Sequence, residues 1–171
     1  DFIAKDSMGR EWQVATIQLD MNMPERFDLT CINEKGEKER IVMIHAAIMG
    51  AIERFLSVLI EHTAGAFPLW LAPVQARVIA VGDKFESYGT QVLEKLLAVG
   101  IRAELAPSNE TLGKRIRQAE MEKIPYVLVV GEREEKSESV SVRHYKEGDL
   151  KAMPLAKLTE RLMTEIAERK S

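Results

Sequence analysis

Pro125-Tyr126-Val127-Leu128-Val129-Val130-Gly131 is a continuous β-forming apolar run held between a proline and a glycine, and it reads as a buried central strand. Working outward, the same grammar repeats. Upstream, Asn109 or Thr111 can cap a helix that runs to about Glu122 and is ended by Pro125. Residues 101–105 form a shorter strand, and residues 87–98 a helix closed by Gly100. Residues 76–81 form a strand that is apolar except for Arg77. Downstream, residues 132–138 read as a charged loop, residues 138–144 alternate as a strand, and residues 155–169 form an amphipathic helix with Leu158, Leu162 and Ile166 inward. Strands alternating with helices predict an α/β unit with a mixed, mostly parallel sheet flanked by helices.

Before Gln75 the rhythm differs. Residues 10–20 predict a strand of an antiparallel sheet, broken at Met23-Pro24-Glu25-Arg26. Residues 29–32 and 41–44 predict a hairpin around the solvated turn of residues 33–38. From Ala46 to about Glu61, Ile48, Ile52, Phe55 and Leu59 predict one apolar helical stripe, ended by Gly65 and Pro68. Leu69-Trp70-Leu71-Ala72-Pro73 is too apolar for an exposed linker and is expected to pack between two units, 1–72 and 73–171.

Composition narrows the function. With 171 residues and 46% apolar content, the chain can hold one ordinary domain, or a small domain and part of another. Its net charge of −3 removes bulk attraction to nucleic acid. Residues 1–74 carry 7 basic and 11 acidic side chains, whereas the remainder carries 17 and 16, so any RNA contact must come from a local basic patch in the second half. The single cysteine, Cys31, excludes an internal disulfide framework and a multi-cysteine zinc site, and fits a reducing cytoplasm. No apolar run suggests a membrane span or a signal peptide, so a soluble cytoplasmic protein is expected. The opening Asp1-Phe2-Ile3 has neither an initiator methionine nor a polar lead-in, and polypeptide is expected to precede it.

Two tracts carry chemistry. In Met43-Ile44-His45-Ala46-Ala47-Ile48-Met49-Gly50-Ala51-Ile52-Glu53-Arg54-Phe55, Gly50 and Arg54 are spaced one helical turn apart. Glycine lets a flat ring approach the backbone, and an arginine one turn on can stack over that ring or hold a phosphate. The same spacing also suits a solvated helix face, and a lone histidine such as His45 is as compatible with a structural hydrogen bond as with a ligand. In Ser108-Asn109-Glu110-Thr111-Leu112-Gly113-Lys114-Arg115-Ile116-Arg117, three cations crowd a helix N-terminal half. They predict a basic surface for phosphate, or a solvated face paired with Glu110 and Glu120.

The first tract resembles motif 3 of the class II aminoacyl-tRNA synthetases. With Trp12-Gln13, Thr16, Gln18-Leu19-Asp20, Pro24-Glu25-Arg26-Phe27 and Gly65-Ala66-Phe67-Pro68-Leu69-Trp70-Leu71-Ala72-Pro73-Val74-Gln75, the similarity is specifically to the threonyl-tRNA synthetases and covers nearly the whole chain. It implies the end of a catalytic domain joined to an anticodon-binding domain, in an enzyme that uses ATP-Mg and zinc to charge tRNA(Thr) with threonine as a homodimer. Arg54, Gly50 and Gln13 then match the ATP and catalytic site, and Thr16 and Gln18 the threonine pocket. His45 matches one of three protein ligands to a zinc ion that engages the threonine hydroxyl, a device that rejects valine better than an apolar pocket could. The second tract resembles the anticodon-binding domain of the threonyl, prolyl, glycyl and histidyl enzymes, whose readers match Asn109, Arg117, Glu134 and Arg143. Lys123 stands where that set has an arginine, keeping the charge without the bidentate fork.

Val14, Ala46 and Ala51 replace the cysteine, arginine and serine usual in that family, each removing polar capacity. The family's other zinc ligands and its motifs 1 and 2 lie upstream of the matched region. The expectation is therefore a chain that alone neither holds zinc nor forms threonyl-adenylate, with a non-catalytic RNA- or protein-binding module as the alternative.

Overall fold

The structure is a computed structural model describing residues 1–170, and it divides into two units, Asp1–Ala64 and Gly65–Ser171. The first runs β1 (Phe2–Lys5), β2 (Glu11–Asp20), α1 (Asn22–Arg26), β3 (Thr30–Ile32), β4 (Lys38–Arg40), β5 (Met43–Ile48) and α2 (Ile52–Thr63). β1, β2 and β5 make an antiparallel sheet in that order. Side chains alternate between the faces of a strand. Thr16, Gln18 and Asp20 therefore share a face with Ala47, His45 and Met43, while Ile17 and Leu19 share the other with Ala46 and Ile44. That second face is open, since Ile17, Leu19, Ile44 and Ile48 are all exposed.

Three expectations for this unit are corrected. The hairpin pairs Thr30–Ile32 with Lys38–Arg40, because the Asn33 carboxamide accepts from the Lys35 and Glu37 amides and closes a tight turn. Met43 and Ile44 instead pair with Asp20 and Leu19. The helix begins at Ile52 and not at Ala46, because strand pairing persists to Ile48 and the Met49 amide still donates to Val14 O at 2.9 Å. Gly50 consequently lies in the connecting turn and shares no helix face with Arg54.

The second unit runs β6 (Ala76–Ala80), a 3₁₀ turn (Asp83–Phe85), α3 (Glu86–Ala98), β7 (Ala103–Leu105), α4 (Leu112–Met121), β8 (Tyr126–Val130), α5 (Glu132–Lys136), β9 (Ser139–His144), β10 (Gly148–Pro154) and α6 (Leu155–Ala167). The sheet order is β10-β9-β8-β6-β7, with β6, β7 and β8 parallel and β9 and β10 antiparallel. One face carries Val78, Tyr126, Leu128, Val130, Val140 and Val142 against Val92 and Leu96 of α3 and Leu158 and Leu162 of α6. Burying each such side chain contributes roughly 1.5–3 kcal/mol. The other face carries Ile79 and Val127 against Ala119 of α4, with Leu112 and Ile116 packed beside them. Gly89 lets α3 approach the sheet, where an added Cβ would meet Leu105 Cδ1 at 3.1 Å.

The apolar connector belongs to this unit: Leu69 is buried in its core, and the fully buried Gln75 donates to Leu69 O at 2.8 Å and accepts from the Arg102 amide. Residues 132–138, expected as a loop, contain α5, at whose start Glu134 Oε2 accepts from the Gly131 amide, the half of a capping box that needs no N-cap side chain. Among the described residues no helix is long and apolar enough to cross a membrane.

Candidate nucleic-acid interface

In the second unit Arg143 and, through Ser141, Glu134 face the α4 side of the sheet, whereas Asn109 and Lys123 do not join them. Ser141 and Arg143 of β9 stand opposite Val129 and Val127 of β8, so both point toward the face that α4 packs on. Arg143 is half exposed, with Nη1 3.6 Å from Glu120 Oε1 of α4. Register places Asp149 of β10 directly opposite Arg143, and Lys151 and then Arg143 hold the Asp149 carboxyl below its ordinary range. Glu120, Ile124, Val127, Arg143, Tyr145 and Asp149 line a cavity of about 300 Å³.

Glu134 is fixed from two sides. Its Oε2 accepts from the Gly131 amide at 3.1 Å, and its Oε1 accepts from Ser141 Oγ at 2.8 Å. Arg117 lies three residues before Glu120 on α4, exposed and with no acidic partner among the described residues. Asn109 is exposed in the loop that feeds α4, without a contact to Glu134 or Arg143. Lys123 sits past the end of α4 with a left-handed φ of 56° and lines a neighbouring cavity with Phe67, Pro125 and Tyr145. Arg143 belongs to a different cavity.

The expected three-cation surface is smaller than its sequence. Arg115 is only 5% exposed, because the face of α4 that carries Leu112, Ile116 and Ala119 turns it inward, and its Nε and Nη1 are buried without a partner. Lys114 Nζ is 2.6 Å from Glu110 Oε1. Arg117 remains the open cation of the three. Thr111 is the N-cap, accepting from the Lys114 amide, and so decides between the two candidates for that role.

In the first unit, Thr16, Gln18 and His45 share one sheet face, and Gln18 is paired directly with His45. His45 Nε2–H donates to Asp20 Oδ2 at 2.9 Å. The Met23 amide, then the His45 ring, hold the Asp20 carboxyl below its ordinary range. This bond fixes the tautomer and leaves Nδ1 as the nitrogen with a free lone pair. One nitrogen is not a metal site: among the described residues no group of three or more His, Cys, Asp or Glu could hold an ion, and the Asp20 carboxylate is already engaged by His45 and the Asn22 and Met23 amides. The residues present therefore do not by themselves fit zinc.

Gln13 stands apart from that face. It precedes an irregularity at Val14 and donates to Asp1 Oδ1 at 3.0 Å. Arg54 is exposed on α2 with no acidic partner among the described residues. Ala51 is the residue before α2, and no side chain caps that helix.

Sequence reasoning missed Ser141 and Gly131. Only the alternation of β9 together with the serine hydroxyl could have suggested the first, and in sequence Gly131 marks only the end of a strand, with no signal that its amide would hold Glu134.

The family model "Anticodon binding domain" matches residues 75–165, and "tRNA synthetase class II core domain (G, H, P, S and T)" matches residues 1–63. Threonine–tRNA ligase of Carboxydothermus hydrogenoformans is 52% identical over 170 residues, covering 99% of this chain and 27% of that protein. The same-named protein of a Thermus thermophilus strain is 53% identical over 170 residues, covering 99% and 26%. The chain thus spans about a quarter of the length of these curated relatives. The crystal structure of the RNA binding domain of threonyl-tRNA synthetase from Cryptosporidium parvum Iowa II aligns at a TM-score of 0.84 and 32% identity, over 95% of this chain and 41% of that one.

Proposed function

Since the chain belongs to the threonine–tRNA ligase family, we propose that its second unit binds the anticodon stem-loop of tRNA(Thr), and that its first unit supplies motif 3 to the ATP- and threonine-binding site of the complete, dimeric enzyme. The functional boundary in this reading lies at 72–73. Arg117, Arg143 and Glu134, with Asn109 and Lys123 at the margins, are the anticodon readers. The observation that supports the reading is that Arg143 shares a face of β9 with Ser141, the partner of Glu134, and reaches Glu120, three residues after the open Arg117 on α4. Arginine offers donors and an ionised carboxylate offers acceptors, and the splayed bases of an RNA loop present both.

In the complete enzyme Arg54, Gly50 and Gln13 would serve the ATP site, Thr16 and Gln18 would line the threonine pocket, and His45 would be one of the zinc ligands. Other polypeptide supplies the remaining ligands. Alone, the chain forms no threonyl-adenylate, which threonine-dependent ATP–pyrophosphate exchange tests directly.

Titrating the chain with a threonine-anticodon stem-loop tests the RNA reading. Binding is expected to weaken steeply as salt rises. Arg117→Ala and Arg143→Ala should each weaken it by about 1–3 kcal/mol if they reach bases. Unchanged affinity in both variants would remove the assignment.

A further inference from the structure

Glu134 is an unusual member of an RNA-facing set, because a carboxylate repels the phosphates that cations attract. It can serve only by accepting hydrogen bonds from the amino and imino groups of a base, and only if it stays where a base edge can meet it. A glutamate has three rotatable bonds, so an unsupported one loses that definition.

We infer that Ser141 is a positioning residue for Glu134, locking its carboxylate as a fixed acceptor so that the chain discriminates among anticodon bases. This rests on the reading of Glu134 as an anticodon contact. The support is geometric and comes from three directions. Ser141 Oγ donates to Oε1 at 2.8 Å, and the Gly131 amide donates to Oε2 at 3.1 Å. Gly131 sits close to Val81 and to Glu134: an added Cβ would meet Val81 Cγ2 at 3.1 Å and Glu134 Oε2 at 3.4 Å, tight enough that a side chain there would press on them. Each carboxylate oxygen has two acceptor sites, so one interaction apiece leaves the outer lone pairs for a ligand.

Helix initiation explains the Gly131 bond, but it does not require a second donor from another strand. Ser141 is held by pairing on both sides, opposite Val129 of β8 and Ala152 of β10, so it is a rigid anchor. Pairing both carboxylate oxygens with fixed donors pre-organises the group, which reduces the ordering cost of binding and sharpens base selection.

The test measures the affinity of the full chain for a threonine-anticodon stem-loop and for versions with each anticodon base replaced in turn, alongside thermal unfolding. Ser141→Ala should lower the discrimination ratio by roughly three- to tenfold, the effect of one net hydrogen bond. Ser141→Thr, which keeps the hydroxyl, should preserve it. If Glu134→Gln loses discrimination and Ser141→Ala keeps it, the positioning role is wrong and the reading of Glu134 stands. If neither variant alters discrimination, the reading of Glu134 falls and the inference with it. A Ser141→Ala chain that loses stability and weakens every RNA equally would make the serine a structural residue only, which also overturns the proposal.

Discussion

Arg143 Nη1 lies 3.6 Å from Glu120 Oε1, a half-exposed ion pair joining a strand to the side of a helix. Exposed pairs of this kind contribute little, about 0.2–1 kcal/mol, so the guanidinium can be surrendered to a ligand at low cost. Replacing the competing carboxylate should therefore favour RNA. Glu120→Gln is expected to tighten stem-loop binding about two- to fivefold at low salt, with the gain fading as salt rises. Fluorescence anisotropy across a salt series measures it, and a weakened complex would mean that Glu120 itself contacts the RNA.

Ala51 precedes α2 without a side chain able to cap it, so the first amides of that helix lack the partner a serine would supply. Ala51→Ser should stabilise the first unit by about 1 kcal/mol, seen as a higher urea midpoint at unchanged slope. No change in midpoint would show that the turn through Met49 and Gly50 holds residue 51 where its hydroxyl cannot reach the helix.

Much of the second unit was legible because its strands are short apolar runs between glycines and prolines, and because residues 86–98 and 155–167 carry strong helical periodicity. What escaped was decided by longer-range or ambiguous signals. β10 has a polar, uneven pattern, since its register shifts between Asp149 and Lys151 and Lys151 takes a left-handed φ of 66°. α5 is all charge in sequence and starts where Glu134 accepts from the Gly131 amide. Ile48 fits a helical stripe equally well as a strand, and its pairing with Ala15 settled the matter. That Arg117 lies on a helix and Arg143 on a strand was readable from the periodicity of their segments. The burial of Arg115 was not, because a charged residue in a basic tract gives no local sign of which way its helix turns it.

Arg115 supplies a prediction of its own. Its Nε and Nη1 are buried without acceptors, a cost of about 1–3 kcal/mol that an apolar side chain of similar length avoids. Arg115→Met should raise the stability of the second unit by about that amount. Because the side chain is 5% exposed, stem-loop affinity should change less than about twofold, well below the effect expected for a cation that reaches phosphate. A large loss of RNA binding in this variant would instead identify the orphaned donors as waiting for an RNA oxygen.

His144 closes β9 against the Tyr126 ring, with centroids 4.8 Å apart, and burial lowers its pKa from the ordinary 6.5 despite the opposing pull of Glu147 and Glu165. A histidine with a lowered pKa is favoured in its neutral form by the fold. Between the lowered value and 6.5 the unfolded chain binds more protons, so stability increases with pH across that window. The contribution is complete above 6.5 and is lost as the pH falls from there through the lowered value. Unfolding midpoints of the chain measured from pH 8 downward, roughly to pH 5, should therefore decline more steeply than those of His144→Gln, which has no ring to protonate. Parallel profiles would mean that Glu147, whose carboxylate lies 3.3 Å from Nδ1, compensates the burial and leaves the imidazolium tolerated where it stands.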